Sequence, residues 1–330
     1  MKLLIFGGTL FVGRHMVEAA LRDGHEVTLF NRGKTNPDLF PEVERLKGDR
    51  DGGLAPLAGR RFDAVIDVNG YVPRIVRDSA ELLKDFSNHY IFISTGAVYQ
   101  KPAPVGYDEN SPVETVEDKT TEDVRGYYGA LKVLCEQEVE KAFTGRTLVM
   151  RLGLVCGPHD ESDRTSYWVT RVAQGGEMLA PGVPDQPIQV VDARDLANFA
   201  MLALEKNLTG VFNCTGQSLT WQQWFDAFKE VSESDPTYTW INDRIFLKNE
   251  LPNPTRPYGA YPLFMPESMG NWWTANSDRA QALGLSYRPM AETAKGILEW
   301  DKTRPINEQR MSGLTQEEEK MLLQKWYERK

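Results

Sequence analysis

The stretch from Lys2 to Lys34 constrains the fold more tightly than any other part of the chain. Lys2-Leu-Leu-Ile-Phe6 is an apolar run of strand length, and it leads straight into Gly7-Gly8-Thr9-Leu10-Phe11-Val12-Gly13. From Arg14 to Arg22 apolar residues recur at helical spacing (Met16, Ala19, Ala20), and Gly24 ends that pattern. Val27-Thr28-Leu29-Phe30 then forms a second strand that closes in Asn31-Arg32. Strand, glycine turn, helix and strand in this order predict a βαβ unit. Its tight turn would let backbone N–H groups and a helix N-terminus approach a pyrophosphate. The glycine pattern calls for a glycine at position 10, where this chain has Leu10. Gly7 can still make the turn and Gly13 can still allow helix and strand to approach. The phosphate contact then rests on Gly8, Thr9 and the N–H groups of Phe11 and Val12.

The rest of the chain extends this unit. After the second strand come Asn31, Arg32 and Lys34, where proteins that prefer NAD usually place an acid for the ribose 2′-hydroxyl. The substitution favours a 2′-phosphate, and hence NADP over NAD. A third strand near Leu46–Lys47 would present Asp49 and Arg50 to an adenine ring. Phe62–Gly70 reads as a fourth strand, Val76–Phe86 as a helix and Tyr90–Tyr99 as a fifth strand running into a polar turn. Residues 101–123 read as a loop, 126–140 as a helix, and Thr144–Arg151 as another strand. Gly175–Pro187 reads as a glycine- and proline-rich connection outside the sheet. Ile188–Ala193 is a candidate return strand, Asp195–Leu204 a helix and Gly210–Cys214 a final core strand. The alternation predicts an α/β fold, a Rossmann-like doubly wound parallel sheet. The dinucleotide-binding domain would span 1–158, its sheet completed by about 188–215. Residues 159–187 and 216–330 would form a smaller substrate-binding cap. In that cap Trp221, Trp224, Phe225 and Phe228 fall at amphipathic spacing. Residues 252–273 are dense in proline and aromatics, and a charged helix starts near Thr315. Most of these aromatics read as cap core.

Composition removes several functions. The net charge of −9 over 330 residues disfavours a general nucleic-acid-binding role. No run approaches the ~18 apolar residues of a membrane span, and the N-terminal run is too short for a signal peptide. Cys135, Cys156 and Cys214 are widely spaced and read as buried thiols in a reducing cytoplasm. The four histidines share no metal-binding spacing, so no metal is expected.

Tyr128 and Lys132 lie four apart at the start of a predicted helix, on one face about a turn apart. A phenol with a pKa near 10 is a poor base at neutral pH. An ammonium about 4 Å away contributes on the order of 4 kcal/mol at an effective dielectric of 20, or ~3 pKa units. Lys132 would thus bring Tyr128 toward neutrality and hold a nicotinamide ribose. Tyr128 would then exchange a proton with a substrate hydroxyl or carbonyl, and Thr95 would hydrogen-bond the same oxygen. These three are the catalytic candidates.

With these residues in place, the chain resembles the extended short-chain dehydrogenase/reductase family, the NAD-dependent epimerase/dehydratase group. Gly7–Gly13 resembles its cofactor turn, Ser94–Tyr99 its Ser/Thr segment and Tyr128-x-x-x-Lys132 its catalytic pair. Arg151–Pro158 resembles the segment that meets nicotinamide and substrate, and Asp195-Leu196-Ala197 and Asn276–Trp300 also fit. The resemblance implies an NAD(P)-dependent oxidoreductase acting at a secondary alcohol or ketone, on a small, sugar-like molecule, with an epimerase or reductase outcome. It implies that Val68 and Leu152 line the cofactor; relatives of this kind often form homodimers, so a homodimer is the candidate assembly and the oligomeric state stays open. Departures narrow the activity. Leu154 stands where nucleotide-sugar enzymes usually have an asparagine, and Ile188 about where many have an arginine. Gly96-Ala97 follows Thr95 in place of the Asp-Glu of sugar 4,6-dehydratases, which disfavours dehydration. Arg164, Tyr167, Trp168 and Arg171 could form a different substrate clamp, or Trp168 could simply pack. The alternative function is a non-catalytic cofactor-sensing or RNA-associated protein on the same scaffold, because the turn lacking its middle glycine also resembles plastid RNA-associated members.

Overall fold

The computed structural model describes residues 1–250, 256–265, 269–305 and 308–329. In chain order the elements begin β1 (Lys2–Phe6), α1 (Phe11–Arg22), β2 (Glu26–Asn31), β3 (Glu44–Lys47), β4 (Phe62–Asp67) and α2 (Pro73–Leu83). They continue β5 (Ser87–Thr95), α3 (Val124–Ala142), β6 (Thr147–Leu152), β7 (Leu154–Cys156), α4 (Ser166–Ala173), β8 (Gly176–Pro181) and β9 (Pro187–Asp192). Next come α5 (Ala193–Glu205), β10 (Gly210–Cys214), β11 (Ser218–Thr220), α6 (Trp221–Ser232) and β12 (Pro236–Ile241). The last are α7 (Arg244–Asn249), α8 (Asp278–Ala282), α9 (Met290–Asp301) and α10 (Gln316–Glu328). The chain divides into two compact units, residues 1–155, 193–216 and 270–287 in one, and 156–192, 217–269 and 288–330 in the other.

In the first unit seven strands form one sheet in the order β10-β6-β5-β4-β1-β2-β3, every neighbouring pair parallel. Side chains alternate across a strand, which explains the uninterrupted apolar reading of β1. Leu4 and Phe6 join Val76 and Ala80 of α2 and Cys135 and Val139 of α3 in one core cluster. Leu3 and Ile5, on the opposite face, are equally buried. Helix α1 packs on α5 and α2 on α3. The chain reverses its direction of winding between β1 and β4, so Gly7, Asn31, Val68 and Thr95 all fall just at or beyond the carboxyl ends of adjacent strands. Open α/β sheets bind ligands at that position.

In the second unit β8 pairs parallel with β12, and β11 antiparallel with β9. Helices α4, α6 and α9 pack together around Trp168, Trp221, Trp224 and Phe225, all essentially inaccessible. The amphipathic aromatics of α6 are therefore core, as their spacing predicts.

Three expectations change. The segment 175–187, expected as a loop, contains β8, whose Met178, Leu179 and Ala180 are fully buried. The segment near 188–192 does not return to the large sheet; as β9 it pairs with β11 in the second unit. Residues 270–287, expected in the cap, belong to the first unit. They are tied there by hydrogen bonds from the Tyr107 hydroxyl to the Trp272 carbonyl (3.1 Å), from the Asn271 N–H to the Ala103 carbonyl and from Asn213 Nδ2 to the Asn276 carbonyl. Residues 252–255 and 266–268 of the aromatic-rich stretch lie outside the described residues.

Candidate active site

The turn after β1 leaves its helix N-terminus without a side-chain cap and is braced from outside by the Asn31 and Asn36 side chains, which donate to the Gly7 and Thr9 carbonyls. Helix α1 starts at Phe11, and Leu10 before it offers no side chain to cap the helix, so the first N–H groups of α1 stay available. Gly13 packs on the turn itself: a Cβ there would meet the Gly8 nitrogen at 2.9 Å and the Gly8 Cα at 3.1 Å. Val68 closes the other side, its Cγ2 against Gly7 and Gly13. Thr9 is buried, while Leu10 is exposed. Asn31 buttresses the turn, donating from Nδ2 to the Gly7 carbonyl (2.9 Å) and accepting from the Gly33 N–H (3.0 Å). An uncapped N-terminus on a 12-residue helix can take an anionic phosphate. Arg32 and Lys34 are both exposed at the end of β2.

At the end of β5, the Thr95 hydroxyl accepts from the Ala97 N–H at 3.1 Å. That leaves the hydroxyl hydrogen to donate. Helix α3 lies directly on this turn because residue 129 is glycine: a Cβ there would sit 2.1 Å from the Ala97 carbonyl oxygen. The first turn of α3 is kinked at Tyr127 (φ −130°, ψ 30°), and Tyr128 follows with its ring partly exposed. Lys132, one turn on, is 2% exposed. Its Nζ donates to the Ile93 carbonyl (2.7 Å) and the Gly70 carbonyl (2.8 Å). Burial lowers its pKa to about 8, against the pull of Cys135, Asp67 and Glu136 that favours the charged form. Leu152 is buried beside Thr95, its partner across β5 and β6.

A buried network sits beneath. Arg151 grips Glu136 through Nε (3.1 Å) and Nη2 (2.8 Å), and donates through Nη1 to the Tyr99 hydroxyl (3.1 Å). Ser94 donates to Glu136 (2.5 Å), and the Tyr99 hydroxyl to Asn213 Oδ1 (2.6 Å). These bonds tie the strand carrying Thr95 to the helix carrying Tyr128. Sequence spacing gave no sign of Glu136 or Asn213, since their partners are far along the chain.

Two groups of expected ligand contacts are corrected. Arg50 does not face an adenine: it is 8% exposed, and its Nη1 and Nη2 meet Asp67 at 2.7 and 2.5 Å, with Ser79 at 2.8 Å. Burial alone would raise the Asp67 carboxyl, but the Arg50 guanidinium holds it below the usual carboxylate range. A carboxylate with no solvent contact requires such a partner. Asp49 remains exposed, its side chain accepting from the Asp51 N–H. In the second unit, Trp168 donates its ring N–H to the Pro262 carbonyl (2.8 Å) inside the aromatic core. Arg171 spends Nε on Glu319 (2.6 Å), Nη1 on the Gly175 carbonyl and Nη2 on the Glu177 carbonyl. Tyr167 is also buried. The expected clamp is thus packing and an internal ion pair, and only Arg164, half-buried and bonded through Nε to the Ser162 hydroxyl, keeps a guanidinium edge without a hydrogen bond among the described residues.

Among the described residues no group of three His, Cys, Asp or Glu could hold a metal ion, and no helix is long and apolar enough to cross a membrane.

The chain is 27% identical over 234 residues to the chloroplast stem-loop binding protein of 41 kDa b of Arabidopsis thaliana, covering 66% of this chain and 59% of that protein. It is 26% identical over 174 residues to a UDP-glucose 4-epimerase of Neisseria meningitidis serogroup B, covering 43% of this chain and 49% of the epimerase. It therefore spans about half to three fifths of the length of these curated relatives. Its fold matches that of the UDP-glucuronic acid 4-epimerase from Bacillus cereus solved in complex with NAD, at a TM-score of 0.65 and 15% identity over 92% of this chain and 99% of that one. Residues 3–214 match the model of the NAD dependent epimerase/dehydratase family, and the chain belongs to that family.

Proposed function

We propose that the protein is an NAD(P)-dependent oxidoreductase that transfers a hydride at a secondary alcohol or ketone of a sugar-like substrate, with an epimerase or reductase outcome. The carrying observation is the placement of Thr95, Tyr128 and Lys132 at the carboxyl edge of the sheet, with α3 pressed onto the Thr95 turn through Gly129. The uncapped α1 N-terminus and the Gly8–Gly13 contact fit a dinucleotide pyrophosphate. Arg32 and Lys34 would meet a 2′-phosphate, since the Asn31 carboxamide is engaged by the turn. When bound, the nicotinamide supplies a hydride acceptor or donor at its C4. The chain supplies the proton chemistry. Tyr128 takes a proton from the substrate hydroxyl or returns one to the carbonyl, while Thr95 donates to the same oxygen and orients it. Lys132, titrating near 8, stays mostly charged at neutral pH and stabilises the phenolate. Gly96 and Ala97 offer no acid for dehydration.

The UDP-glucose 4-epimerase relatives support a nucleotide-sugar substrate, and Leu154 and Ile188 in place of the usual polar residues weigh against it. The test is to heat the purified protein and assay the supernatant for NAD(H) and NADP(H), then to offer UDP-glucose. A stoichiometric released dinucleotide with UDP-galactose formation marks an epimerase. An empty site with turnover only on added cofactor marks a reductase. Neither outcome with any sugar or ketone substrate removes the proposal.

A second function is favoured by one observation, the likeness to a protein named for stem-loop binding. A salt-sensitive gel shift with stem-loop RNA, unaffected by Tyr128→Phe, would support it. The net charge of −9 opposes it.

A further inference from the structure

The ammonium of Lys132 is enclosed by more than its two carbonyl acceptors. The Phe92 ring centroid lies 4.1 Å from Nζ, and the Tyr71 centroid 5.5 Å. Tyr71 follows Gly70, whose carbonyl accepts from Lys132, on the loop leaving β4. Its ring is 6.4 Å from that of Tyr128, at an interplanar angle of 35°. Tyr71 is 45% exposed and Tyr128 37%, while the amine close to Tyr71 is nearly inaccessible. An aromatic face within about 6 Å attracts an ammonium and occupies the space that water would otherwise fill.

We infer that Tyr71 is a positioning residue: its ring roofs the Lys132 ammonium beside Tyr128 and reserves the amine's third proton for a bound hydroxyl or the phenol. The consequence for turnover rests on Tyr128 and Lys132 being the reacting pair; the enclosure does not. The role is assigned to the ring, whose face lies over the amine. Sequence spacing alone did not single out this residue, because it lies far along the chain from α3.

The groups that face the amine are Asp67 at the end of β4, Arg50 from the loop after β3, Cys135 and Glu136 on α3, and the ring of Tyr71, with Tyr128 next to that ring. Burial is the largest influence on the amine and lowers its pKa. Removing the roof admits water and relieves it, which moves the midpoint upward. Loss of one ring contact acts the other way and is the weaker effect.

The test is acetylation of the purified full chain by acetic anhydride across a pH series, with the Lys132 peptide quantified by mass spectrometry. It needs neither turnover nor cofactor, so it stands or falls apart from the proposed activity. Wild type and Tyr71→Phe should share a midpoint near 8 and the same plateau rate. Tyr71→Leu should raise the midpoint by about one unit and speed the plateau rate about tenfold. Tyr71→Trp should restore the wild-type curve, and circular dichroism should report the same fold in all variants. A Tyr71→Leu curve that superimposes on wild type overturns the inference. So does a Tyr71→Phe curve that matches Tyr71→Leu, which would assign the role to the hydroxyl.

Discussion

Lys132 in the first unit and Arg171 in the second are both buried cations close to aromatic residues in sequence, and the protein uses them in opposite ways. Each nitrogen of Arg171 has a partner within its own unit, and its counter-ion Glu319 also accepts from the Leu179 N–H. Lys132 has three donor hydrogens and gives two to backbone carbonyls. Its neighbour Tyr128 is partly open to solvent, and Thr95 still has a hydrogen to donate. A cation whose bonding capacity is filled by its own fold holds that fold together. One with a donor hydrogen left over can act on something else. Residue type did not separate the two corners; partner accounting does.

The largest effect expected from this contrast is on Tyr128→Phe. Turnover should fall by about 10²- to 10⁴-fold with the fold intact, read by steady-state kinetics and circular dichroism. Retained turnover would move the proton chemistry elsewhere. Glu319→Ala should do the reverse. It leaves the Arg171 guanidinium buried without its carboxylate and should cost about 3–5 kcal/mol in denaturant unfolding. Activity per folded molecule should be unchanged. A cost below about 1 kcal/mol would place Arg171 among surface pairs.

Linkage sharpens the difference further. Lys132 titrates at about 8 in the folded chain against an ordinary 10.5, so between those values the unfolded chain binds more protons. Stability from this group therefore rises as pH climbs from about 8 to 10.5, by about 3 kcal/mol. Lys132→Met should abolish that rise in unfolding curves taken at stepped pH, and a rise that survives the substitution belongs to another group. The smallest effect concerns the cofactor's far end. Arg32→Glu should weaken NADP binding by about 1.5–3 kcal/mol while leaving NAD nearly unchanged, measured by calorimetry. Equal losses for both would remove the 2′-phosphate contact from Arg32.

Much of the first unit was legible because its strands are apolar on both faces, so β1, β2, β4, β5, β6 and β10 stand out as short hydrophobic runs between helices. Strand β8 did not, because its buried core of Met178, Leu179 and Ala180 lies between glycines and a proline. The run that becomes β9 reads as a strand, but local pattern carries no information on pairing, so its place beside β11 rather than in the large sheet is not legible. The same division holds at the site. Tyr128 and Lys132 share a helix face four residues apart, so periodicity brings them together. Arg50 reads as a ligand contact because its partner Asp67 lies 17 positions away, and Arg171 because Glu319 lies 148 away. Long-range partners decide whether a charge is spent, and only the fold reveals them. Gly129 shows the complementary case: its need for glycine comes from the Ala97 carbonyl of another segment.

The most direct test of a cofactor-dependent site at the carboxyl edge of this sheet is native mass spectrometry of the purified chain, as isolated and after addition of NAD⁺ or NADP⁺. One nicotinamide dinucleotide per folded chain is the expected result. A folded chain that carries neither dinucleotide, and takes up neither when it is supplied, contradicts the account.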